Sequence, residues 1–169
     1  MRKAPLSSLV LSLAAALAVL VAAPAARAFT LADGTSITCT ARGVSVREYE
    51  APAGDPVMRD RTGMTIPENT GYAIVWNAAR LKALPPVVHD FIFFHEWAHA
   101  RIRTTVELQA NCGGLKDMRA AGRAGDTVEG KLAAYFGAGN AYWAGTVKCA
   151  NQPLAPAVRA TTNTEQWRV

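Results

Sequence analysis

Phe93-Phe94-His95-Glu96-Trp97-Ala98-His99-Ala100 is the stretch around which the chain is organised. It continues the apolar run from Val87 through His89, Asp90 and Phe91 to Ile92, and together they predict one helix. On a helix, residues four apart share a face, so His95 and His99 can grip a single ion. Neutral imidazole is a good ligand for Zn2+, and two of them leave it short of tetrahedral coordination. Glu96 is rotated about 100° from His95 by the helical repeat. From there a carboxylate can reach a water beside the ion without taking a coordination position, which is the placement a general base needs. Two imidazoles and a glutamate are costly to bury in an apolar helix unless something compensates them, and a dication would. The bland alternative is a helix whose two histidines and glutamate are paired as ordinary core groups. The third histidine, His89, lies six residues before His95 and off its face, and reads as a surface or capped residue.

Outward from this stretch, Ile102-Arg103-Thr104-Thr105 reads as the end of one helix and the start of another, with Thr104 or Thr105 as N-cap. In an antiparallel hairpin turning near Arg103, residues equidistant from the turn face each other. His99 and Glu107 each lie four residues from Arg103, and His95 and Asn111 each lie eight. Glu107 is therefore the candidate third ligand, which leaves one position open. Asn111 is the candidate partner for the free ring nitrogen of His95. A first-turn glutamate favoured by the helix dipole is the plainer reading of Glu107.

The arrangement resembles the gluzincin metallopeptidases, in which a glutamate on the following helix, within Glu-x-x-Ala-Asp or Glu-x-x-Ala-Asn, completes the His-Glu-x-x-His site. More narrowly it is similar to small exported bacterial proteins of that type. Gly71 to Ile74, Leu84 to Pro86, His95 to His99 and Glu107 to Cys112 carry the likeness, over residues 70–122. The resemblance implies zinc bound by His95, His99 and Glu107, with Glu96 as base. Asn111 stands where aspartate is common, and Gly113-Gly114 departs from the pattern and weakens the second helix.

Residues 1–28 read as a secretory signal: Arg2 and Lys3, the apolar Leu6 to Ala23, then a small-x-small site at Ala26-Arg27-Ala28 that makes Phe29 the mature N-terminus. An uncleaved anchor is the alternative. The whole chain has 18 basic and 13 acidic residues; without Arg2, Lys3 and Arg27 the balance is 15 − 13, or +2. So mild and scattered a charge argues against a nucleic-acid partner. Residues 29–155 form one domain and 156–169 a loose tail with Pro156 and a polar Thr-rich run.

Within that domain, Ser36 to Thr40 and Gly43 to Arg47 alternate as strands, Val57 to Arg59 extends one, and Thr62-Gly63 reads as a turn. Thr70 to Asn77 is a strand expected beside the cleft, where an extended peptide could pair with it. Asn77 to Leu84 is a short helix or turn, and Pro85-Pro86 starts the main helix. A later helix is capped by Asp126 or Thr127 with Val128, Leu132 and Tyr135 on one face, and a short one runs from Ala141 to Ala150. Tyr135 and Tyr142 are candidates for a phenol that stabilises an oxyanion, against a reading as packed aromatics. Of Cys39, Cys112 and Cys149, export favours one disulfide, and Cys112–Cys149 is the expected pair.

The expected fold is α+β: a short β-sheet with an edge strand beside the histidine helix, followed by antiparallel helices. The expected function is an exported, periplasmic or secreted, zinc-dependent peptidase acting on peptide or protein, with no nucleic acid and no membrane after signal cleavage. The alternative is a non-catalytic zinc-binding or partner-binding envelope module.

Overall fold

The computed structural model describes residues 28–153. Of the expected signal (1–28) all but Ala28 lies outside the described residues, as do the last two residues of the expected domain and the whole expected tail (156–169).

Among the described residues, seven short strands precede five helices. Two minimal ladders come first: β1 (Phe29–Thr30) with β2 (Ser36–Ile37), and β3 (Thr40–Ala41) with β4 (Val44–Ser45), both antiparallel. The main sheet has the order β5-β7-β6. In its centre β7 (Gly71–Trp76) runs parallel to β5 (Arg47–Glu50) and antiparallel to β6 (Gly63–Glu68). The strand expected beside the cleft is thus the middle one, with both edges already paired. The free edge beside the helix belongs to β6, which was read only as a turn at Thr62-Gly63. Pro67, which cannot donate to a ladder, fits an edge strand. Val57 to Arg59 forms turns rather than a strand, because Asp55 Oδ1 accepts from the backbone N–H groups of Val57 and Met58 and folds the chain back.

After the short α1 (Ala78–Lys82), capped by the Asn77 side chain, α2 (Pro86–Ile102) runs through the middle of the molecule. Its buried residues, among them Val88, Phe91, Phe93, Phe94, Ala98 and Ala100, point in nearly every direction, as expected of a helix covered on several sides. β6 and β7 pack against it on one side, α3 (Glu107–Ala120) and α4 (Asp126–Phe136) on another. α5 (Ala141–Ala150) packs on α3. Phe91 carries the far side of the core, with its ring centroid 5.6 Å from both Phe136 and Trp143. The mixed architecture is compatible with an α+β class.

Two expected caps are absent. Val106 and Gly125 occupy the N-cap positions of α3 and α4, and neither makes a side-chain cap hydrogen bond. Thr104 acts two residues earlier, its hydroxyl accepting from Val106 N–H at 3.0 Å and donating to Gln109. On α4, Leu132 is buried and Val128 partly so, but Tyr135 is half exposed, so the expected face is narrower. Among the described residues no helix is long and apolar enough to cross a membrane.

The two glycines of α3 have a packing purpose. A Cβ built on Gly114 would lie 2.8 Å from His95 N and 2.9 Å from His95 Cα. One on Gly113 would lie 3.0 Å from Ala98 Cβ. Missing side chains at Gly113 and Gly114 therefore let the backbone of α3 rest on that of α2 directly beneath the histidine.

Candidate metal centre

The hairpin between α2 and α3 turns at Arg103, which adopts the left-handed conformation with φ 53°. Its backbone N–H donates to His99 O. The turn folds the chain so that the Thr104 carbonyl oxygen meets His99 Nδ1 at 2.7 Å. One layer further in, Asn111 Oδ1 meets His95 Nδ1 at 2.6 Å. A carbonyl oxygen only accepts, so each Nδ1 must carry the hydrogen. In the neutral ring that leaves Nε2 of both histidines with a bare lone pair.

These two lone pairs face each other. His95 Nε2 and His99 Nε2 are 3.1 Å apart, and Glu107 Oε2 lies 3.2 Å from the first and 3.6 Å from the second. A tetrahedral ion with bonds of about 2.0–2.1 Å holds its donors about 3.4 Å apart, so the triangle has the size of one face of such a site. Three lone-pair donors meeting with no hydrogen between them repel unless a cation or a captured proton joins them. The donor set, two imidazole nitrogens and one carboxylate oxygen, therefore fits a metal ion, and His95, His99 and Glu107 form a group that could hold one.

The electrostatics carry the same tension. Burial pulls the pKa of His95 down, yet the Glu107 hydrogen bond, the charges of Glu96 and Glu107, and Asn111 outweigh it and leave the pKa raised. Glu107 is lowered, chiefly by the His95 hydrogen bond, against partial desolvation and with help from the charges of both histidines. The histidine side chains are about a tenth exposed, at 10% and 11%, whereas that of Glu107 is 63% exposed. The triangle thus opens to solvent on its carboxylate side.

Glu96 is buried, and its Oε2 lies 2.8 Å from Thr65 Oγ1 on β6. The same hydroxyl lies 2.8 Å from Glu96 O, so its single hydrogen is shared between the backbone carbonyl and the carboxylate of this residue. A Cβ at Gly63 would come within 2.9 Å of Glu96 Cγ and 2.5 Å of the Trp76 ring, so β6 can approach only because glycine stands there. Arg61, Gly63, Thr65, Glu96, His99 and Glu107 line one open cleft of about 410 Å³.

Tyr142 sits close enough to Glu107 for that charge, after burial, to raise its phenol pKa. Tyr135 instead lies edge-on to Phe136, at 5.2 Å between centroids. His89 bonds Asp90 through Nδ1 at 3.1 Å and stands against the ring of Phe29, outside the triangle. Cys112 and Cys149 form a disulfide that ties α3, one residue past Asn111, to α5. Cys39 is free and buried, its thiol pushed up to about 12 by burial and the nearby Glu48.

Thr65 and Arg61 line the cleft without being legible as site residues, and Gly63, expected only in a turn, lines it too. The only signal for them was the placement of polar and small residues just ahead of a recognised strand. The Thr104 carbonyl carried no side-chain signal at all. Compared with known proteins, the chain matches no family model, no curated protein and no solved structure.

Proposed function

We propose that the chain is a zinc-dependent peptidase in which His95, His99 and Glu107 hold the ion and Glu96 is the general base. The observation that supports this most is the fixed tautomer pair. Both Nδ1 hydrogens are committed to oxygen acceptors, so both Nε2 lone pairs meet the Glu107 carboxylate in a triangle of 3.1, 3.2 and 3.6 Å. A zinc ion held there would supply a Lewis acid towards a water and a substrate carbonyl.

The chain's own groups have the following parts in this reading. Glu96, in the same cleft as His99 and Glu107, takes the proton of the attacking water and passes it to the leaving amine. Thr65 holds one carboxylate oxygen of Glu96, which fixes the direction in which the other can act. Asn111 and the Thr104 carbonyl hold the two rings in their ligating tautomer. Tyr142 carries a phenol that stays protonated at neutral pH, since burial and Glu107 both raise it, and so can donate to a developing oxyanion. Three protein donors rather than four leave a position open, which favours a catalytic over a closed structural site.

The test is metal content and hydrolysis of an unfolded protein substrate by the purified chain. We expect one zinc per chain, lost in His95→Ala and Glu107→Ala, with Glu96→Gln retaining the metal but losing hydrolysis. A chain that binds no zinc even when it is supplied would overturn the reading. Zinc binding without any hydrolysis that depends on Glu96 would replace it with a non-catalytic metal-binding module.

A further inference from the structure

On the edge of the sheet opposite β6, β5 carries Glu48, whose register with Ile74 and Thr65 places it on the face turned towards α2. Glu48 is 3% exposed, among the most buried polar residues described. Its Oε2 accepts from Trp76 Nε1 at 2.8 Å, and it accepts a second hydrogen bond from the backbone N–H of Phe29. Neither donor carries charge. Among the described residues Glu48 forms no ion pair, although Lys82 lines the same cleft. The Cys39 thiol faces it and stays protonated, while His89, Tyr49 and Glu50 line the same cleft as Glu48. A buried carboxylate held by two neutral donors is expensive, and a formal cation at either donor would relieve it.

One of those donors can become a cation. Phe29 is the residue expected to follow the small-x-small sequence Ala26-Arg27-Ala28. The geometry divides at that bond, since Ala28 is exposed and Phe29 is 6% exposed. The Phe29 ring is wedged among Trp76 at 4.8 Å, His89 at 4.9 Å and Phe93 at 4.9 Å. That packing keeps the Phe29 backbone nitrogen beside Glu48.

We infer that Glu48 is the binding site for the α-ammonium of Phe29, released when a leader-cleaving endopeptidase hydrolyses the Ala28–Phe29 bond. Water adds across the amide and the C–N bond breaks. Ala28 leaves as a carboxylate, and the Phe29 nitrogen takes up protons to become –NH3+. The neutral N–H···carboxylate bond then becomes a buried ion pair at the same position. Because Phe29 stacks on Phe93, two residues before His95, that pair pins the underside of the helix that carries the metal ligands. Burial otherwise holds the Glu48 carboxyl up at about 7, against two hydrogen bonds that lower it.

The full chain, expressed for export, is purified and its first residue is determined by Edman sequencing. The reactivity of its α-amine towards cyanate is then measured at neutral pH, folded and in denaturant, beside Glu48→Gln. We expect Phe29 as first residue and an amine that reacts about tenfold or more slowly in the folded chain, since each unit by which an ion pair raises an amine pKa removes tenfold of its free base. Glu48→Gln keeps the burial and should restore most of that reactivity. A different first residue, or equal rates folded and denatured, would overturn the inference, and so would protection unchanged in Glu48→Gln. If Glu48→Gln does not accumulate, the folded-against-denatured comparison on the unaltered chain decides alone.

Discussion

Gly114→Ala is the substitution in which the geometry and helix propensity make opposite predictions. Alanine in a helix interior is favoured over glycine by about 1 kcal/mol. Position 114 is inside α3, so propensity alone says the variant gains stability. The added Cβ, however, would lie 2.8 Å from His95 N, 2.9 Å from His95 Cα and 2.9 Å from Phe94 C. All three are backbone atoms of the central helix and have no rotamer to yield. Carbon contacts relax at about 3.5 Å, so α3 must move off α2 by about 0.6 Å. Overpacking of this kind costs about 1–3 kcal/mol or more. Net of propensity, we expect a loss of up to about 2 kcal/mol, or a fall in Tm of several degrees for a domain of this size. Metal affinity should fall with it, because His95 and Glu107 sit on opposite sides of the strained contact. The assay is urea denaturation with metal removed, paired with zinc competition against a chromogenic chelator. Gly130→Ala is the control: it lies in α4 with nothing within 4 Å of the new Cβ, and should be neutral or stabilising by up to about 1 kcal/mol. A Gly114→Ala chain as stable as Gly130→Ala, with unchanged zinc affinity, would refute the close-approach argument.

Asn111→Leu removes the acceptor that fixes the His95 tautomer while leaving His99 on the Thr104 carbonyl, and should weaken zinc binding by about 10–100-fold in the same competition assay. Replacing Cys112 and Cys149 together by serine opens a loop of sequence separation 37 and should cost roughly 3–4 kcal/mol in denaturant unfolding, the order expected from loop entropy. In a chain that retains residues ahead of Phe29, Glu48 binds its proton more tightly folded, at about 7, than at its ordinary 4.5. Such a chain should therefore lose stability as pH rises from about 4.5 through 7, by a total of about 3 kcal/mol (2.5 units at 1.36 each), and Glu48→Gln should flatten that part of the profile in pH-dependent melting.

The residues legible in the sequence were those whose chemistry is carried by a side chain at a helical spacing. His95 and His99 four apart, and Glu107 and Asn111 at mirror distances from Arg103, needed only the periodicity of two helices and one sharp turn. Arg103, a non-glycine residue with positive φ, supplies that turn. Gly113-Gly114 was read backwards: propensity counts glycine against a helix, whereas here absent side chains permit the crossing that aligns the ligands. β6 was missed because Gly63 and Pro67 both argue against a strand, and both become intelligible only once the strand is an edge pressed against Glu96 and Trp76. Long-range pairing of that kind leaves no local periodic trace.

The same contrast shows which part of the site the fold has to defend. Each histidine ring of the triangle is oriented from within the hairpin, His99 by the turn that follows it and His95 by the facing helix, so α2 and α3 suffice for the triangle. Glu96 is oriented from outside it, by a threonine on a strand 31 residues earlier in the chain. Metal binding and base positioning thus depend on different contacts and should be separable. Thr65→Val leaves the hairpin untouched, so zinc affinity should stay within about twofold, while loss of a hydrogen bond to a charged group, worth about 1.5–3 kcal/mol, frees the carboxylate to turn. If Glu96 is the base, hydrolysis should fall by about 10–100-fold with zinc content unchanged. Equal losses of zinc and activity in Thr65→Val would mean that the edge strand holds the ligands as well, and the division drawn here would be wrong.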